Sequence, residues 1–139
     1  MSEYDPNYVE AHNFYLIGVK VVVINNKNEV LLLRRSDKTP RAGGWDLPGG
    51  VVDEAEAPEA AAIRETLEET SIVIPSAKII SSDYIARTHP WMILGFSVHV
   101  DNPEVILSWE HDEYIWVSIN EIESTELPEG YKQIVRFAV

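Results

Sequence analysis

The spacing of apolar residues changes period several times along the chain, and each change marks an element. Ile17, Val19, Val21 and Val23 alternate with Leu16, Gly18 and Lys20, which predicts a strand over residues 17–23 with substantial burial. Residues 25–29, Asn-Asn-Lys-Asn-Glu, are a turn cluster, and the apolar run 30–33 resumes as a strand, so the two are expected to form a hairpin. Arg34 and Arg35 close that strand, and Pro40 with Gly43-Gly44 breaks the chain into a loop over 36–44. A helix is predicted over 57–70: Pro58 suits a first turn, Ala60-Ala61-Ala62 are strong helix formers, and Ala60, Ile63 and Leu67 recur at helical spacing and are expected to face the core. Further strands are read at 78–86, 92–100, 105–109 and 114–119, with a turn at 101–104. Tyr131, Ile134, Val135 and Ala138 give a C-terminal amphipathic helix within 129–139, while residues 1–13 are polar and read as an arm. With no repeat, linker or low-complexity tract, the whole of 1–139 is expected to be one α/β domain.

A chain of 139 residues has room for one proper core. The absence of cysteine excludes a disulfide framework, a thiolate metal site and a cysteine nucleophile. Nothing at the start resembles a signal peptide and no apolar run could cross a bilayer, so a cytoplasmic location is expected. The net charge of -12 argues against a nucleic-acid polymer or a membrane surface as partner. An acidic protein can still act on an anionic small molecule if divalent cations bridge the two. Taken alone, the charge is explained as well by solubility.

One group of residues changes that balance: Gly50, Glu56, Arg64, Glu65, Glu68 and Glu69. Glu65 stands three residues from Glu68 and four from Glu69, so a helix puts all three carboxylates on one face, where they repel. Arg64 offsets part of this by pairing with Glu68 one turn on. Such a cluster opposite a glycine pair is a candidate divalent-cation site with hard oxygen ligands, suited to magnesium or manganese. Gly49 and Gly50 are expected to bend the backbone and bring a main-chain carbonyl to the cation. Asp53 and Glu54 are read as the acidic start of the helix, capping its free amides.

From residue 50 to 72 the sequence GVVDEAEAPEAAAIRETLEETSI resembles the box of the Nudix hydrolase (MutT-related) family. That pattern is a glycine, five residues, a glutamate, seven residues, then Arg-Glu-apolar-any-Glu-Glu-any-Gly-apolar. Gly50, Glu56, Arg64, Glu65, Glu68 and Glu69 fall on its glycine and charged positions. Thr66 replaces an aliphatic residue, expected to weaken packing slightly. Ser71 replaces the glycine where the helix ends, putting that exit in question. The upstream GGWDLPGG also resembles the family, and the likeness extends over about residues 17–119.

The resemblance implies an α/β/α sandwich around a mixed sheet, a requirement for Mg2+ (with Mn2+ as substitute), and attack of water on phosphorus in a nucleotide or nucleoside-diphosphate derivative. It implies that Glu65, Glu68 and Glu69 bind the metal with the Gly49 carbonyl, while Glu56 and Arg64 order loop and helix. Family members differ in their general base. Here Glu110 and Glu113, in the acidic stretch 109–113, are both candidates for base or added ligand, and in an extended chain only one of them should face the cleft. The plainer reading of that stretch is a solvated loop. Arg35 is similar to the family arginine that contacts substrate phosphate, Arg34 is read as a surface charge, and Trp91 as core or pocket wall first and a base-stacking platform second. His12, Phe14, Tyr15 and Tyr84 are further pocket candidates, and a homodimer is compatible with the resemblance. A catalytically inactive nucleotide-binding sensor of this fold is the alternative, disfavoured because Glu65, Glu68 and Glu69 are all present. An isopentenyl diphosphate isomerase would need a cysteine, and an acidic scaffold protein would not need the glycine-to-glutamate spacing.

Overall fold

The computed structural model describes residues 2–139. Its elements are β1 (Leu16–Ile24), β2 (Glu29–Arg35), β3 (Trp45–Asp46), β4 (Gly49–Val51), α1 (Pro58–Thr70), β5 (Lys78–Ile85), β6 (Trp91–His99), β7 (His111–Ser118), a 3-10 turn (Ile119–Ser124) and α2 (Glu129–Phe137). Residues 2–15 carry no strand or helix; Met1, the first residue of the predicted arm, lies outside the described residues. Among the described residues no helix is long and apolar enough to cross a membrane.

The strands make one mixed sheet in the order β3-β2-β1-β6-β5, with β4 added to β1 and β7 to β2. β1 runs parallel to β6 along its full length, and the remaining pairs are antiparallel. Both faces of the central strands are covered, which is why β1 and β2 read as nearly unbroken apolar runs. Val19, Val21, Val23, Leu31 and Leu33 meet Ala61 and Ala62 of α1 on one side. Val22, Ile24, Val30 and Leu32 meet Ile134 and Val135 of α2 on the other. This is the expected single-domain α/β/α sandwich.

Several local expectations are corrected. The β1–β2 hairpin is paired in register only at Ile24 and Val30. Beyond that point the two strands part, and residues 45–51, read from sequence as lead-in to the helix, fill the seam: β3 pairs with β2, β4 pairs with β1, and the Val21 amide donates to the Pro48 carbonyl. Residues 105–109 are not a strand. Two of their amides are spent on the last carbonyls of α1, Ile106 N–H to Thr70 O at 3.0 Å and Ser108 N–H to Glu69 O at 3.3 Å, groups that a helix end otherwise leaves unsatisfied. β7 begins at His111, so the acidic stretch is half turn and half strand.

The buried face of α1 also differs from expectation. Ala60 is exposed, Leu67 is about half exposed, and the face turned inward is Ala61, Ala62, Thr66, Glu69 and Thr70. Thr66 packs without penalty, because its hydroxyl donates to the Ala62 carbonyl at 2.7 Å. Asp53 and Glu54 do not cap the helix: Ala57 is the N-cap residue and offers no side-chain bond.

Candidate active site

The glycine pair and the helix meet at close quarters. Gly49 lies at φ 155°, and a side chain there would collide with the Val19 carbonyl across the β1–β4 pairing. Gly50 serves differently from the expected bend: a β-carbon there would sit 2.5 Å from Glu65 Oε1. The absence of a side chain at Gly50 thus makes room for a carboxylate. Gly49 contributes its amide, which donates to Glu69 Oε1 at 2.7 Å.

The three helix carboxylates do not share one environment. Glu69 is buried, and its carboxyl is pushed up to about 8, chiefly by loss of water and then by the charges of Glu65 and Glu110, against the Gly49 amide and Lys20. Glu65 is raised by burial and by Glu68 and Glu110, with Arg64 opposing. Glu68 points outward, half exposed, to Arg64 Nη1 at 3.2 Å, the pairing expected from sequence. Among the described residues no three Asp, Glu or His groups stand in a metal-holding arrangement. Glu65 and Glu69 face the glycine segment and Glu68 does not join them.

Arg64 is the tie that holds this end of the helix. Its Nε and Nη2 meet Glu56 Oε2 and Oε1 at 2.8 and 2.9 Å, Nη2 also reaches the Val51 carbonyl at 3.1 Å, and Nη1 reaches Glu65 at 2.9 Å. Glu56 in turn accepts from the Asp53 amide at 3.0 Å, and its carboxyl is held down at about 2, first by the Arg64 hydrogen bonds. One ion pair thus joins the loop after β4 to the second turn of α1.

The two residues of the acidic stretch part company. Glu110 sits in the turn before β7, where its charge bears on both Glu65 and Glu69. Glu113 is on β7, exposed, with its carboxylate 2.8 Å from Arg34 Nη1. Arg34, read as a surface charge, also meets Asp112 at 2.8 Å. Arg35 turns the other way and is engaged within the protein, by Asp46 Oδ2 at 3.1 Å and the Pro40 carbonyl at 2.6 Å.

Sequence reasoning passed over Lys20, Asp46 and His111. Lys20 donates to Asp46 at 2.7 Å and lies over the Tyr131 ring at 5.0 Å. Burial alone would depress its ammonium, but Asp46, Tyr131 and Glu69 together raise it. The available signal was a lone lysine inside an apolar strand, which needs a partner to be buried. His111 is buried with its Nδ1 3.3 Å from Glu69 Oε2, yet neither ring nitrogen has hydrogen-bonding geometry to any group. Burial, helped by Lys20 and Arg35, holds it down at about 4. Its place among the acidic residues Glu110, Asp112 and Glu113 hid it in the sequence.

A cavity of about 300 Å³ opens beside this cluster, floored by Gly18, Val19, Lys20 and Gly50. Trp91 and Tyr131 contribute aromatic walls, and Arg41 and Arg87 also line it. Gly18 keeps the floor flat, since a β-carbon there would press on Ile93 at 2.9 Å and on the Trp91 ring at 3.4 Å. The loop carrying Arg41 is pinned at its base by Gly43 N–H to Arg35 O at 2.8 Å and Arg35 N–H to Gly44 O at 2.9 Å. Of the other pocket candidates, Tyr15 and Tyr84 pack edge to face, 6.2 Å between centroids, while His12 and Phe14 are exposed.

The chain is similar in sequence and fold to known proteins. Over 104 residues the chain is 36% identical to the asymmetrical bis(5'-nucleosyl)-tetraphosphatase of Mus musculus, covering 70% of this chain and 69% of that one. It is 50% identical over 56 residues to a Bacillus subtilis protein provisionally named an 8-oxo-dGTP diphosphatase, a stretch that is 40% of this chain but only 35% of that relative. The crystal structure of the MutT protein of Methanosarcina mazei Go1 superposes with a TM-score of 0.80 at 35% identity, covering 93% of this chain and 96% of that one. Residues 14–137 match the NUDIX domain model, and on that match and this fold the chain belongs to the NUDIX family.

Proposed function

We propose that the protein is a divalent-cation-dependent pyrophosphohydrolase that cleaves a phosphoric anhydride in a nucleotide or nucleoside-diphosphate derivative. The observation that carries this reading is the meeting of two features at Gly50. One is a pair of desolvated carboxylates, Glu65 and Glu69, with raised pKa; the other is a cavity with aromatic walls and cationic groups. Carboxylates raised by burial and by acidic neighbours in this way are hard oxygen donors whose repulsion a cation relieves, so Glu65 and Glu69 are the pair that would hold a magnesium or manganese ion, with the charge of Glu110 acting on both. When bound, that cation neutralises anhydride oxygens and acidifies a water.

The chain's own groups do the rest. Trp91 and Tyr131 offer ring faces to a base. Glu110 is the group we assign to take the proton of the attacking water, because its charge already acts on Glu65 and Glu69 while Glu113 is committed to Arg34. Water adds to phosphorus, the bridging P–O bond breaks, and the leaving oxygen departs with the remaining phosphate. Arg64 and Glu56 hold loop and helix in register for this.

The test is turnover of nucleoside triphosphates, dinucleotides, ADP-ribose and nucleotide sugars, with products separated by chromatography. Chelator should abolish activity, magnesium or manganese should restore it, and calcium should restore less because it is larger and less strict in geometry. Full activity in chelator, or no substrate turned over with any metal, would refute the reading.

A further inference from the structure

Arg34, Arg35, Arg64 and Arg136 are each ion-paired to a carboxylate. Among the described residues Arg41 and Arg87 form no such pair, although the chain carries 23 acidic residues against 11 basic ones. Both of these unmatched guanidinium groups line the cavity beside Gly50. They come from separate parts of the chain: Arg41 from the loop between β2 and β3, Arg87 from the connection between β5 and β6. Arg41 is also held at φ 58°, a left-handed conformation that costs a non-glycine residue energy. By contrast, a larger groove of about 500 Å³ beside the end of α1 is lined by no lysine or arginine at all.

We propose that Arg41 and Arg87, which line the same cavity as Gly50, form a second anion station that grips a phosphate beyond the linkage being cleaved. The substrate class that follows is a nucleotide carrying three or more phosphates in a row, in preference to a diphosphate that ends in an uncharged sugar. A guanidinium forks onto phosphate oxygens in a way a neutral hydroxyl group cannot match. This station rests on the functional reading above for where the cleaved linkage lies, and it adds the selection between substrates that the carboxylates, which meet only the anhydride, cannot make.

The test is metal-free binding, so that it does not depend on hydrolysis. ATP and ADP-ribose are each titrated calorimetrically in chelator into the wild-type protein, Arg41→Gln, Arg87→Gln and, as a charge-matched control in the β1–β2 turn, Lys27→Gln. Wild type should bind ATP more tightly than ADP-ribose. Each arginine variant should lose about tenfold in ATP affinity, the scale of one charge-assisted hydrogen bond. Its ADP-ribose affinity should shift less than about twofold, and Lys27→Gln should shift neither, as expected of a site-specific contact rather than a net-charge effect. Equal losses for both ligands would mean the arginines grip the shared nucleoside end, and would overturn the proposal. So would unchanged ATP affinity in both variants, or a wild type that binds ATP no better than ADP-ribose. A protein that passes this test and hydrolyses nothing would refute the hydrolase reading alone.

Discussion

At the scale of single residues, the site is a matter of which carboxylate faces which neighbour. Glu65, Glu68 and Glu69 are equivalent in a sequence pattern and unequal in the fold: two are desolvated against the glycine segment, and one is half exposed on an arginine. The same asymmetry separates Glu110 from Glu113. Steady-state kinetics on the best substrate should show Glu69→Gln and Glu110→Gln each losing about a hundredfold or more in kcat, the scale of a lost ligand or base. Glu113→Gln should stay within about threefold, because it gives up only an exposed ion pair. A severe Glu113 defect with a mild Glu110 one would reverse the assignment. The spacing from Gly50 to Glu69 could be read directly from the sequence. Which carboxylate is buried could not, since burial of Glu69 depends on β4, which lies 20 positions away at the Gly49 amide.

At the scale of elements, α1 ends without the glycine its exit normally uses. Ser71 takes that left-handed position at φ 62°, ψ 13°, donating its amide to the Leu67 carbonyl and its hydroxyl to Ile106 O at 3.0 Å. The helix exit is therefore kept at the cost of strain, about 1 kcal/mol for a residue with a β-carbon. Ser71→Gly removes that strain and gives up one exposed hydrogen bond, so thermal unfolding should rise by about 2 to 4 °C; an unchanged or lower midpoint would show that the hydroxyl bond outweighs the strain. Elements were legible where their own residues decide them. β1, β2, β5, β6 and both helices follow from periodicity and punctuation. β3 and β4 are too short to show a period, and residues 105–109 have a strand's composition but spend two of their amides on a helix end. The inward face of α1 misled because small Ala61 and Ala62 are what pack against Val19, Val21 and Leu33, while the larger Leu67 is left about half exposed.

At the scale of the whole molecule, an acidic protein is held partly by carboxylates that must stay charged. Glu56 is the clearest case, held at about 2 from an ordinary 4.5 by Arg64. A carboxyl lowered in the folded state contributes stability that is complete above 4.5 and is lost as pH falls toward about 2. Wild type and Glu56→Gln should therefore differ most in thermal midpoint near neutral pH, and their curves should converge as acid is added through that window. A gap that stays constant with pH would assign the effect to packing instead.

The loop between β2 and β3 has one more consequence. Residues 36–44 leave and re-enter the sheet at the Arg35–Gly43 and Arg35–Gly44 hydrogen bonds, so the loop is closed at its neck, and none of its residues is part of the Glu56–Arg64 tie that orders the start of α1. Lengthening a loop closed in this way costs little, about 0.6 kcal/mol for each doubling. The protein is thus modular in an evolutionary sense. Insertions and exchanges in that loop can retune what the cavity accepts while the bond-breaking apparatus is inherited unaltered.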